Sequence, residues 1–424
     1  MSQQPESPRT PEVPETDAEA GGRAQPDTMR PDERWLREWM RGVLTSNWLV
    51  TLLAIVAALV ISGVLIAIAD EDVRDAATYF FARPLDTLAA AWNSVAGAYT
   101  SLFRGAVFDF QAPTLARAIR PITETMVAAT PLIFAALGLG MGFRSGLFNI
   151  GAQGQVLMGA AAATYVGITW SLPVVVHVVL AVIAAMVVGG LWAGIAGFLK
   201  ARTGASEVIV TIMLNWIAIW LITYLLTTTV LRQGGSRPIS PAVGENARLP
   251  LMLGDGFRLH WGFLLALAAA ALVWWLMERS TIGFKFRAVG ANMDAARTAG
   301  INVNLIFVFV MVSAGILAGL GGASQILGTD KTLQAGSAGS IGFDAITVAL
   351  LGRSRPLGTV LAALLFGALR AGSPLMQTVS NTPIDIVLVI QAVIVLFIAA
   401  PPLVRSMFFL PSADGRRRVK GVAA

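Results

Sequence analysis

Uncharged, apolar stretches close to 20 residues long recur from Asn47 to Val404. That is the length a helix needs to cross a hydrocarbon core of about 30 Å. Composition agrees: 55% of the 424 residues are hydrophobic and 13% are charged, against roughly 25% charged in soluble domains. Mean hydropathy is +0.69. These properties exclude a soluble enzyme, a nucleic-acid-binding domain and a secreted disulfide scaffold. The chain is expected to be an all-α, multi-pass membrane protein.

The runs read as about ten transmembrane helices: Asn47–Ala69, Glu124–Phe143, Leu147–Trp170, Val174–Leu199, Ser206–Val230, Trp261–Met277, Leu305–Leu327, a weaker Ile341–Leu351, Leu357–Leu369 and Ile384–Val404. An even number of crossings puts both termini on one side. Basic residues identify that side as the cytoplasm: Arg30, Arg34, Arg37 and Arg41 precede the first helix, and Arg405, Arg416, Arg417, Arg418 and Lys420 follow the last. Lys200, Arg202, Arg279, Lys285, Arg287, Arg297, Arg353 and Arg355 fall in loops on the same side. The loop 231–260 dissents, with Arg232, Arg237, Arg248 and Arg258 spread over an outside segment. The charge of +6 is thus explained by topology, and no nucleic-acid partner is expected.

The transmembrane body spans 47–404. Before it, residues 1–46 form an acidic, Pro- and Glu-rich cytoplasmic tail and juxtamembrane segment, too poor in apolar residues to order itself. After it, 405–424 is a basic cytoplasmic tail. In the outside segment 70–120, Leu85–Leu102 has an amphipathic helical pattern with Trp92 and Tyr99. It suits a helix lying in the outer interface or a cap packed on the bundle.

Chemistry is sparse. The chain has no cysteine, and His177 and His260 lie far apart without acidic neighbours, so no metal site is expected. None of the four lysines follows a glycine, so no phosphate loop exists, and Gly328-Thr329-Asp330-Lys331-Thr332 lacks the glycine before its lysine. No catalytic nucleophile or bound cofactor is expected, and any ATP must be hydrolysed on another polypeptide.

Three segments interrupt the apolar pattern. Gly138–Gly159 (GLGMGFRSGLFNIGAQGQVLMG) is dense in glycine, with Asn149, Gln153 and Gln155 at its centre. In lipid, a broken helix survives only when buried in protein or lining a wet cavity. The segment is therefore either tight packing glued by amides or pathway lining at a helix break. Glu207, Thr211 and Asn215 form a polar stripe at i, i+4 and i+8 on an apolar helix. Glu207 suits the helix N-terminal dipole, whereas Thr211 and the deeper Asn215 are pathway candidates. The charged loop 279–303 holds a short helix signature, with Asn292 as N-cap, Asp294 in the first turn and Gly300 as terminator. Its small residues Ala295, Ala296 and Ala299 are expected to form an exposed docking face.

GLFNIGAQGQVLMGA, ASEVIVTIMLNWIAIWLITYLL, FRAVGANMDAARTAGI and GFDAITVALLGRSRPLGTVLAALLFG occur in that order. Together they resemble the permease subunit of bacterial ATP-binding-cassette (ABC) importers of the branched-chain amino acid and simple-sugar permease superfamily, nearest its nucleoside branch. The likeness covers Leu85 to Val404. It implies a multi-pass protein of the cytoplasmic membrane working with a cytoplasmic ATPase, a second homologous permease and an extracytoplasmic substrate-binding lipoprotein. It also implies that Ala288–Ile301, including Gly290, Asn292, Asp294, Ala295, Ala296 and Gly300, is the coupling helix docking on the ATPase. Gln153 stands where the family usually has Glu. A simple-sugar or branched-chain amino acid permease is the nearest alternative. A secondary transporter driven by H⁺ or Na⁺ would need buried midmembrane carboxylates, and Glu124, Asp344 and Asp385 all lie near expected outer ends.

Overall fold

The computed structural model describes residues 47–409 except 233–237, 255, 381 and 384. The N-terminal tail, nearly all of the basic C-terminal tail and Arg237 lie outside the described residues. The helical body, Val50–Phe408, forms one compact unit.

The helices, in order, are α1 (Asn47–Ala69), α2 (Glu71–Ala77), α3 (Pro84–Ala106), α4 (Leu115–Arg144), α5 (Ala152–Thr169), α6 (Val174–Thr203), α7 (Glu207–Leu225), α8 (Gly262–Arg279), α9 (Thr281–Ala291), α10 (Met293–Thr298), α11 (Val303–Ala323), α12 (Ile341–Leu351), α13 (Pro356–Ser380), α14 (Asp385–Ala399) and α15 (Pro401–Met407). A π-turn, Ser324–Asp330, extends α11. No strand occurs among the described residues, only the isolated bridges Ile239–Gln334 and Leu251–His260.

Each of the ten apolar runs is a helix, but seven are long and apolar enough to cross a membrane among the described residues: α1, α4, α6, α7, α8, α11 with its π-turn, and α13. The other three fall short for physical reasons. Helix α5 carries Gln153 and Gln155 in its first turn, α12 has 11 residues, and α14 has 15. Several boundaries also move. Helix α4 begins at Leu115 and runs 30 residues through Pro121 and Pro131. Helix α5 starts at Ala152 because 145–151 is a break. Helix α13 continues past Leu369 to Ser380 through Pro374.

The core gathers α4, α5, α6, α11 and α13, with α4 the most enclosed candidate span. Close approach is set by small residues, as in membrane bundles where packing rather than hydrophobicity joins helices. A Cβ built on Gly159 of α5 would lie 2.4 Å from Gly319 Cα, and one on Gly189 of α6 would lie 2.5 Å from Gly315 O. Gly138 is held against Ala314 in the same way, at 2.7 Å from its carbonyl oxygen.

Of the two readings of 85–102, packing governs the C-terminal half of α3. Gly105 sits on Gly372, Ser101 Oγ lies 2.8 Å from Ser380 Oγ, and Tyr99 donates to the Leu59 carbonyl, while Leu85, Leu88 and Trp92 stay exposed. The loop 231–260 folds onto 327–334: the Leu249 and Val243 amides donate to Leu327 O (3.0 Å) and Lys331 O (2.8 Å). His260 is buried there, its Nδ1 accepting from Gly262 N–H at 3.1 Å. Burial, reinforced by the charge of Arg258, pushes its pKa down to about 4, so it is neutral at physiological pH.

Candidate translocation site

The helix break is built by five side chains that all turn inward. Asn149, Gln153, Gln155, Thr211 and Asn215 are buried. Asn149 Oδ1 accepts from Gly151 N–H (2.8 Å) and Gln155 Nε2 (3.2 Å), while Asn149 Nδ2 donates to Gln155 Oε1 (3.3 Å). Asn215 spans the gap from α7. Its Oδ1 accepts from Gly154 N–H at 2.8 Å and its Nδ2 donates to Ile150 O at 2.9 Å. Thr211 Oγ donates to Glu207 O (2.7 Å) and accepts from Ile150 N–H (3.3 Å). These contacts hold the backbone groups that the interrupted helix leaves without helical partners.

Gln153 joins this break to a second one. Its Oε1 accepts from Gly342 N–H at 2.8 Å, in the first turn of α12, and its Nε2 donates to Gly339 O at 2.6 Å, just before that helix. The α5 and α12 N-termini thus meet at one amide that is donor and acceptor together.

Glu207 has a stronger partner than the helix dipole. Lys200 Nζ lies 2.6 Å from its Oε2, both side chains mostly buried, and Phe148 N–H donates to its Oε1 at 3.4 Å. Across the left-handed turn at Gly204 (φ 71°), this pair ties α6 to α7 and the break.

At the same end of the bundle, Asn292 caps α10 as expected, accepting from the Asp294 and Ala295 amides at 3.0 Å each. Gly300 ends the turn with φ 79°. The expected docking face needs one correction. Ala295 and Ala299 are exposed, but Ala296 is 3% exposed and faces the protein core. With Ala296 turned inward, the open surface is Asp294, Ala295, Arg297 and Ala299, beside a 390 Å³ groove along 300–304. Gly290 is a packing residue, because a Cβ there would lie 2.3 Å from Arg144 O. Arg144 Nη2 also pairs with Glu278 Oε1 at 2.7 Å, and Arg287 lies 3.5 Å from the other oxygen. The loop 279–303 is therefore clasped to the tip of α4.

The far end of α4 lines a cavity of 840 Å³ shared with α3, α13 and the π-turn. Of its polar residues the sequence singles out Glu124, as a carboxylate weighed for ion coupling, and Asp330, in the stretch that fails as a phosphate loop, but neither Gln325 nor Arg370. Gln325 and Asp330 are five apart, and the π-turn's i to i+5 spacing brings Gln325 Nε2 within 3.1 Å of both Asp330 oxygens. Arg370, inside α13, lies against Gly339, the residue whose carbonyl Gln153 holds. The signal for Arg370 was a single cation at the end of an apolar run.

Residues 122–399 match the family described as branched-chain amino acid transport system / permease component. The chain belongs to that family. The permease is 38% identical over 314 residues to the guanosine ABC transporter permease NupP of Bacillus subtilis, covering 74% of this chain and 88% of that protein. It is 37% identical over 297 residues to the glucose ABC transporter permease TsgB13 of Haloferax volcanii (68% and 77%). It is 36% identical over 303 residues to the nucleoside ABC transporter permease NupB of Lactococcus lactis (69% and 82%). No solved structure matches it. The permease is accordingly a transport subunit of an ABC importer and a multi-pass protein of the cytoplasmic membrane, which replaces the ion-coupled alternative.

Proposed function

We propose that this permease forms the translocation pathway of a nucleoside importer. The observation that carries the reading is the 38% identity, over 88% of its length, to a guanosine permease, with a nucleoside permease at 36% beside it. The chain crosses the membrane ten times with both termini in the cytoplasm, as its basic loops favour. The segments α5, α12 and α14 complete the count: paired discontinuous helices at membrane depth suit a translocation path. The polar clamp Asn149, Gln153, Gln155, Thr211 and Asn215 shapes that path, and α10 docks on a cytoplasmic ATPase that uses the ATP. A second homologous permease and an extracytoplasmic binding lipoprotein complete the importer.

The experiment is uptake of labelled guanosine into cells carrying or lacking this gene, with unlabelled glucose and leucine as competitors. Gene-dependent uptake that other nucleosides suppress and glucose and leucine leave intact is the expected result. Uptake competed by glucose would instead favour a sugar permease, the reading that the 37% identity to a glucose permease supports.

A further inference from the structure

The polar wall of the 840 Å³ cavity falls into two parts. In one, charges meet within the protein: Arg104 Nε lies 2.8 Å from Asp109 Oδ1, and Glu124 is shared by Arg258 at 3.3 Å and Arg120 at 3.7 Å. In the other stands Arg370. It is half-buried inside α13, and no carboxylate lies within 4.0 Å of it among the described residues. Asp330 and Asp344 feel its charge only through space. A guanidinium held in a membrane helix without a partner is costly, and such residues face a functional interior. On the same cavity wall, Gln325 donates to both oxygens of Asp330, whose carboxylate retains free lone-pair positions.

We propose that this cavity binds a 6-oxopurine nucleoside, Arg370 donating to the base and the Asp330–Gln325 pair holding the ribose hydroxyls. The inference rests on the nucleoside reading and adds the site and the base class. A guanidinium presents parallel N–H donors in a fixed plane. Guanine and hypoxanthine offer two matching acceptors, O6 and N7, whereas adenine places an amino donor at position 6. A free Arg fork therefore discriminates between the two purine classes, and a lysine, a point charge, reproduces the attraction but not the geometry. The cavity lies within the roughly 300–1,000 Å³ range of small-molecule sites. It sits at the end of α4 opposite the loop 279–303, where solute delivered by a binding protein would arrive.

The test uses the full-length permease assembled with its partner permease, ATPase and binding protein in vesicles, comparing labelled inosine and adenosine uptake. A substitution here leaves the binding protein's own selectivity untouched, so a change in the inosine-to-adenosine ratio reports on this cavity. Arg370→Gln is expected to lower inosine uptake tenfold or more while adenosine falls less, collapsing the ratio. Arg370→Lys moves the ratio the same way by a smaller factor. Asp330→Asn lowers uptake of both and leaves the ratio unchanged. If Arg370→Gln fails to assemble, Arg370→Lys carries the comparison. Variants that assemble and keep the wild-type ratio would overturn the site while leaving nucleoside transport intact. A wild-type importer that carries no nucleoside, or whose uptake leucine saturates, overturns the underlying reading and this inference with it.

Discussion

The two polar regions of this permease are opposite in kind. At the break around 145–155, Asn149, Gln153, Gln155, Thr211 and Asn215 each spend their side-chain groups on the protein itself, mostly on backbone amides and carbonyls. At the cavity around the π-turn, Arg370 and Asp330 keep capacity in reserve. A buried polar group that is fully satisfied stabilises a shape, whereas one left open on a cavity wall is available to something that comes and goes. Polarity inside a membrane bundle is thus not one signal, and its meaning depends on what remains unmatched.

Breaking the first region should have the largest effect. Asn215→Leu removes the side-chain partners of Gly154 N–H and Ile150 O, at about 1–3 kcal/mol for each group left unsatisfied. The expected outcome is a marked fall in thermal stability and assembled complex, read by fluorescence-detected gel filtration. Arg370→Gln should instead leave the melting temperature close to wild type, and equal destabilisation by the two variants would erase the contrast.

A second pair divides the loop 279–303 in the same way. Ala296→Arg forces a long charged side chain into the core and should lower the yield of folded protein, by overpacking of about 1–3 kcal/mol plus the cost of a buried charge. Ala295→Arg, one residue earlier on the exposed side, should yield folded permease that no longer co-purifies with the ATPase. ATPase at wild-type stoichiometry on the Ala295→Arg variant would remove the docking assignment.

Gln153→Glu gives a smaller change. The carboxylate can still accept from Gly342 N–H but has no proton for Gly339 O. Stability should fall by about 1–3 kcal/mol for one orphaned carbonyl, and Gln153→Met, which loses both bonds, should fall further. A calorimetric ranking in the reverse order would show that this amide does not join α5 to α12.

The smallest effect is that of acid on the cavity wall. Arg104, hydrogen-bonded to Asp109, holds that carboxyl below its ordinary range. The folded value is the lower one, so the pair's contribution is present above about pH 4 and is lost as pH falls through the folded pKa. Hydrogen exchange at 107–114 should therefore rise on acidification, and Asp109→Asn should show that raised exchange already at neutral pH.

Much of the scaffold was legible from the chain. Runs of apolar residues mark α1, α4 to α8 and α11 to α14, and amides interrupting such runs mark the break, because both are local properties. What was not legible depends on register and distance. Gln325 and Asp330 would sit about 140° apart on an α-helix and meet only because the helix widens to a π-turn. Arg370 fell one residue beyond the expected helix end at Leu369, since a charge closes an apolar run even where the backbone continues. The Lys200–Glu207 pair crosses a left-handed glycine turn, so no single-helix pattern displays it, and the dipole reading took its place. Ala296 was misplaced because α10 has only six residues, too few for a periodic pattern to define its inner face.

Pro131 gives α4 a further property. It has no N–H to return to the Val127 carbonyl, so this enclosed rod is missing a rung near its middle, as it is at Pro121 closer to its start, and Val127 and Ala128 are at the middle level part of the cavity wall. Above the missing rung lies the half of α4 that lines the cavity. Below it lies the half clasped through Arg144 to Glu278 and Gly290. A rod of 30 residues is about 45 Å long, and helices bend at proline in preference to elsewhere. The two ends of α4 are consequently joined by an articulation rather than a stiff bar, and a rotation imposed at one end is shared between tilting the helix and flexing it beside the cavity.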